Sequence, residues 1–181
     1  MVVESYVRGI SFEAMADANR RVNRALVGAA LSMGGNVDIQ DTPGYAPLRQ
    51  DAGLIAMAED AARAMGLSFT FEPFPSTGST DMGDISHVMP AIHPHCPGAG
   101  GTSHGADYHI ADPDTACVGS AKWQLVMLHL LLENGGQRAR DITAAYTPTF
   151  PTVREYLNYL DTISCSGQRI RYTDSGAEVT L

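Results

Sequence analysis

Apolar residues recur every third or fourth position at Met15, Ala18, Val22, Ala25, Ala29 and Met33, which marks one face of a helix. Ser11 stands where an N-cap is needed, and Glu13 and Asp17 fall in the first turns. Gly34-Gly35 supplies the stop. The flanking segments have a different pattern. Residues 2–8 are β-branched and aromatic and predict a strand, and residues 37–39 predict a shorter one. Strand, helix, strand in so little chain is half of a small α/β lobe, with no means of covering its own sheet.

The pattern then restarts. Residues 42–48 carry Pro43, Gly44 and Pro47 and read as a linker. Asp51 caps a second predicted helix, with Leu54, Met57, Ala58, Ala61, Ala62 and Met65 on its buried side and Gly66 at its end. Residues 68–74 and 87–92 predict strands on either side of a polar loop at 78–84. Residues 94–108 are rich in Gly, His and Ser and show no periodicity. Asp112-Pro113 opens a long helix, a cap followed by proline at the first helical position. Its expected buried face is Val118, Ala121, Leu125, Leu128 and Leu132, and Gly135-Gly136 ends it. Shorter helices are predicted at 139–146 and 153–160. Asp174-Ser175-Gly176 in the tail reads as a weak hairpin or a frayed end.

The 181 residues, 44% of them hydrophobic and 18% charged, suffice for one domain with a real core, or a domain and a smaller lobe. No run approaches the roughly 18 consecutive apolar residues of a transmembrane helix, and the first residues lack the basic and apolar regions of a secretory signal. The net charge of −8 disfavours nucleic acid and anionic membranes as partners. Cys96, Cys117 and Cys165 are odd in number and match neither a disulfide framework nor a Cys-x-x-Cys site. The expected setting is reduced and cytoplasmic.

Histidine carries most of the candidate chemistry. His87, His93, His95, His104 and His109 are five of the six histidines and fall close together. Imidazole serves as a zinc ligand or as a general acid or base near neutral pH. His87 and His93 also read as structural histidines beside an apolar strand, and His129 as the edge of a leucine-rich helix. His93-Pro94-His95 makes a weak chelating motif. His104 stands among Gly100, Gly101, Gly105 and Ala106, which leave its ring the access that a ligand needs. In the 78–84 loop, backbone amides at glycine turns suit a carboxylate or an oxyanion, and Ser79, Thr80 and Asp81 add donors and acceptors. The same residues also read as a capped turn before a short helix. No Gly-Lys-Ser or Gly-Lys-Thr follows, so the loop is not a P-loop.

The run Gly78-Ser79-Thr80-Asp81-Met82-Gly83-Asp84-Ile85-Ser86-His87-Val88-Met89-Pro90 is followed by Ile92-His93-Pro94, a lone His104 and a long helix. Together these resemble the peptidase M20 amidohydrolases, in the branch of the aminobenzoyl-glutamate hydrolase subunits and M20 domain-containing protein 2. Glu4-Ser5-Tyr6-Val7-Arg8-Gly9 resembles a strand of that family's lid. The resemblance runs from Met1 to about Leu160. It implies the C-terminal part of an M20-type α/β zinc hydrolase fold preceded by a partial α/β lid, or dimerisation, segment. The boundaries expected are 1–41 for the partial lid, 42–165 for the catalytic part and 166–181 for an unassigned tail. It implies two ions in a complete enzyme, zinc or another divalent metal such as manganese. The substrate implied is a small amide bearing a carboxylate: an N-acyl amino acid, a dipeptide or an aminobenzoyl-glutamate-like molecule. By the same resemblance His104 matches the last metal ligand and Arg8 the lid arginine that binds the substrate carboxylate. Gly78, Ser79, Thr80 and Asp81 match the loop that contacts substrate.

The departure from the family is its length. The other metal ligands, the bridging Asp and the Glu base have no counterpart here, and the resemblance places them upstream of Met1. The expectation is therefore a chain that is inactive alone and that associates as a homodimer or with a missing N-terminal half. Two alternatives stand beside it: a non-catalytic dimerisation or ligand-binding module, and a self-contained metal-binding protein using His93, His95, His104 and His109.

Overall fold

The computed structural model describes residues 1–67 and 78–181; the strand expected at 68–74 lies outside them. The described residues are a mixture of helices and small two-stranded sheets. They belong to two compact units. Unit 1 draws on Met1–Leu48, Phe74–Val88 and Thr149–Leu181, and unit 2 on Arg49–Pro73 and Met89–Pro148. Both are discontinuous in sequence, unlike the contiguous boundaries 1–41, 42–165 and 166–181.

Unit 1 begins with helix α1, Phe12–Ser32, capped by the Ser11 hydroxyl, which accepts from the Ala14 amide at 3.1 Å. Gly34 follows with a φ of +64°, the left-handed geometry that closes a helix. Strand β1, Asp38–Asp41, pairs antiparallel with β4, Cys165–Gln168, in the register Asp38↔Gln168 to Asp41↔Cys165. Beyond it β5, Ile170–Thr173, and β6, Gly176–Val179, form the hairpin expected in the tail. Val27, Ile39 and Ile170 pack as one apolar cluster. A second cluster joins Phe12 and Ala46 to Tyr156 of helix α5, Val153–Ile163. Helix α5 is closed by a capping box, in which Thr152 and Glu155 satisfy each other's backbone amides.

Unit 2 is built on α2, Ala52–Ala64, packed against α4, Ser120–Ala145. The Asp51 carboxylate caps α2 through the Leu54 amide at 2.9 Å. Ala58, Ala61 and Ala62 are small enough for the α4 side chains Trp123 and Met127 to lie directly on the α2 backbone. The Trp123 Nε1–H donates to the Ala58 carbonyl at 3.0 Å, so the indole is buried without an orphaned donor. Asp112 caps the approach to α4 through the Thr115 amide and hydroxyl, and a π-helical turn at Asp114–Gly119 leads in. The backbone leaves helical geometry at Glu133, Asn134, Gly135 and Gly136, where the glycine pair predicts a stop, and then resumes.

Three sequence expectations are corrected. Residues 2–8 form no strand, and Val2, Val3 and Tyr6 are exposed; their composition suits a strand, but among the described residues no neighbouring strand takes up their backbone groups. Residues 87–92 are a turn and irregular chain, not a strand. Pro90 lacks an N–H for a ladder, and the His87 carbonyl accepts instead from the Thr149 and Phe150 amides. The long helix buries Trp123 and Met127, while Val118, Leu125, Leu128 and Leu132 lie exposed. It carries apolar residues on two sides, and the side richer in leucine is not the one that packs.

Among the described residues one helix, Asp114–Ala145, is long and apolar enough to cross a membrane by length and composition. Its Trp123 side forms the core of unit 2. Trp123→Ala is expected to destabilise the fold by about 3–5 kcal/mol, read as a lowered urea midpoint in far-ultraviolet circular dichroism. An unchanged midpoint would mean that the α2–α4 contact does not hold unit 2 together.

Candidate functional site

The glycine-bearing loop at 78–84 folds as a turn into a short helix. Ser79 forms an isolated antiparallel bridge with Pro47. Thr80 occupies the N-cap position of α3, Asp81–Ile85, with its hydroxyl turned to the Asp81 carboxylate at 2.9 Å. Gly83 is buried, and a Cβ there would overlap the Ala46 carbonyl oxygen. This close backbone approach explains why glycine stands at that position.

Three buried or half-buried side chains fix the segment. The Asp84 Oδ1 accepts from the Ala46 amide at 2.8 Å and from the Tyr156 hydroxyl at 2.7 Å. Burial, and after it this bond to Asp84, push the Tyr156 hydroxyl well above its ordinary value. The Ser86 hydroxyl donates to the Gly83 carbonyl at 2.6 Å. His87, only 6% exposed, has Nε2 at 2.7 Å from the Pro47 carbonyl and Nδ1 at 2.9 Å from the Thr149 hydroxyl. A carbonyl only accepts, so Nε2 carries the proton and Nδ1 accepts from Thr149. His87 is thus the satisfied structural histidine that its apolar surroundings predict. Phe12 packs against its ring with centroids 4.6 Å apart.

Arg8 lines a small depression together with Gly78 and Ser79, and Val7, Gly9, Met15, Tyr45 and Pro47 complete its wall. Its volume of about 10 Å³ admits a single water-sized group, such as one oxygen of a carboxylate. The Arg8 guanidinium is exposed and lies 6.0 Å from the Tyr6 ring centroid. Thr80 and Asp81 continue from this depression into α3.

His104 belongs to unit 2, in the loop between β2, Ala99–Gly100, and β3, His109–Ile110. The Asp107 carboxylate closes the loop by accepting from the Thr102 amide at 3.1 Å. His104 itself is exposed, with a φ of +62°. The His109 Nδ1 donates to the Asp107 carbonyl at 2.8 Å. The His93 and His95 rings stand 5.3 Å apart, centroid to centroid. Among the described residues no three of His, Cys, Asp and Glu come together in a group that would hold a metal. Among the described residues His93, His95, His104 and His109 are not gathered into one such group. A structural zinc takes four protein donors and a catalytic one takes three, so His104 alone does not fit a metal centre.

Compared with known proteins, the chain matches no family model, no curated protein and no solved structure. Of the residues that hold the candidate site, Asp84 lies within the quoted motif, but its role depends on Tyr156. Nothing in the sequence signals a partner 72 residues away.

Two outcomes follow for this segment. Gly83→Ala forces the Ala46 strand of chain to move and is expected to cost about 1–3 kcal/mol, measured by denaturant unfolding. The raised Tyr156 value means that the folded protein keeps a proton which the unfolded chain releases near pH 10. That contribution is intact below pH 10 and is lost as pH rises above it. Tyr156→Phe should flatten the alkaline fall in stability. Burial also raises Tyr146 and Tyr159, and they retain the remainder of the slope. An identical slope in wild type and variant would refute the assignment.

Proposed function

We propose that the chain is the C-terminal portion of an M20-type amidohydrolase that acts on the amide of an N-acyl amino acid, a dipeptide or an aminobenzoyl-glutamate-like substrate. The supporting observation is the shared depression of Arg8, Gly78 and Ser79. By the resemblance these residues have one task, contact with the substrate, and they come from stretches about seventy residues apart. A guanidinium suits a carboxylate because its N–H groups form a fork that matches two oxygens.

In this reading Arg8 receives the carboxylate of the amino-acid half. The backbone around Gly78 and Ser79, with Thr80 and Asp81, borders the same end of the substrate. His104 contributes one imidazole to a zinc or manganese centre whose other ligands, with the Glu base, come from a missing N-terminal half or a second copy of the chain. The residues present do not complete that centre, so no hydrolytic step is assigned to them, and the isolated chain is inactive. The reading keeps the cytoplasmic setting inferred from the cysteines.

The test is a hydrolysis assay on N-acetyl amino acids and 4-aminobenzoyl-glutamate with added zinc or manganese, beside a binding titration of 4-aminobenzoyl-glutamate. The isolated chain should show no turnover, and Arg8→Ala should weaken binding about tenfold or more. Turnover by the isolated chain would sink the claim of incompleteness, and binding indifferent to Arg8→Ala would sink the role given to Arg8.

A further inference from the structure

Unit 1 contains a second concavity that shares no residue with the Arg8 depression. Its volume of about 270 Å³ approaches the ~300 Å³ at which small-molecule sites begin. Its apolar lining is Val27 and Ile39, which are 2% and 7% exposed, together with Leu181. One wall is α1, where Asn19 and Asn23 are one turn apart, as are Arg20 and Arg24. The opposite wall is Asp41 on β1, Cys165 on β4 and Arg169 just beyond β4.

The polar groups of this concavity are unevenly satisfied. The Asp41 Oδ2 accepts from the side-chain amides of Asn19 and Asn23 at 2.8 and 2.7 Å, and from the Cys165 thiol at 3.3 Å. Burial pushes its carboxyl up, but these bonds and the Arg169 charge outweigh burial and hold it below its ordinary value. These three bonds all fall on Oδ2, and the Arg169 charge acts on the same carboxylate. The cations of the lining differ. Arg20 is paired with Asp17, but Arg24 has no carboxylate within ion-pair distance among the described residues. Among the described residues Arg169 makes one side-chain bond, from Nη2 to the Cys165 sulfur at 3.0 Å, and its Nε is buried without an acceptor. A buried guanidinium N–H without a partner is costly. Thr180 and Leu181 complete the lining.

We propose that this concavity binds a small organic anion, with a carboxylate or phosphate group on the Arg24 and Arg169 guanidiniums and an apolar body on Val27 and Ile39. The planar fork of arginine takes two oxygens of either group. The proposal uses neither Arg8 nor His104, so it does not depend on the amidohydrolase reading.

The test titrates the full ¹⁵N-labelled chain with hexanoate, hexyl phosphate, inorganic phosphate and hexanol, following the Arg169 Nε–H and the Asn19 and Asn23 side-chain amides. Saturable shifts with hexanoate, hexyl phosphate or both are expected, and the stronger of the two identifies the anionic group. Arg24→Ala, a change at an exposed position, should weaken that binding about tenfold or more with an unchanged circular dichroism spectrum. Arg169→Gln should do the same. Equal binding of hexanol would overturn the anionic part, and equal binding of inorganic phosphate would overturn the apolar part. The absence of saturable shifts, or affinity unchanged in Arg24→Ala, would overturn the proposal as a whole.

Discussion

The Asp84 carboxylate is the constraint on which the organisation of unit 1 turns. A single oxygen accepts from the backbone at Ala46 and from the hydroxyl of Tyr156, so three distant stretches of chain meet at one acceptor. His87 repeats the arrangement one turn later, between Pro47 and Thr149. Neutral donors facing a half-buried carboxylate are far stronger than the same contacts in water, and each is costly to leave unmade. Gly83 completes the joint by allowing the helix backbone to touch the Ala46 carbonyl. The motif at 78–90 is therefore first a structural brace, and the placement of Gly78 and Ser79 beside Arg8 follows from it.

The helix ends were legible in the sequence because they are local. Ser11, Asp51 and Asp112 all accept from amides three residues on, and that chemistry is written in adjacent residues. The faces were legible only where apolar residues lie on a single side, as on α2. On α1 the buried side carries Asn19 and Asn23 between Phe12 and Val27. A search for apolar periodicity passes over those asparagines and settles on a stripe that includes exposed Val22. On α4 two apolar stripes compete, and only the small residues of α2 decide between them.

Long-range pairing left no such trace. Residues 2–8 have the composition of a strand but no strand partner among the described residues, whereas Cys165–Gln168 has little strand character and is paired with β1. Of the candidate site, Arg8, Gly78 and Ser79 line one depression, and Thr80 and Asp81 lie outside its lining. His104 was legible as an accessible imidazole, and it is one, at an exposed loop. The Asp41–Cys165 contact spans 124 residues, and no local pattern announces the concavity around it.

That span also sets an order on synthesis. Strand β1 emerges early, but its partner β4 lies beyond residue 164, and Tyr156 and Ile170 are equally late. Unit 2 draws nothing from beyond Pro148, and its α2–α4 core is complete while β1 still waits. Closing so long a loop costs entropy that only the finished contacts return. A ribosome stalled short of β4 would therefore carry a folded unit 2 and an open unit 1, with α1 exposing Val27 and β1 offering a bare edge. Chaperones that recognise such an edge would meet this chain at its beginning, after its middle had already folded.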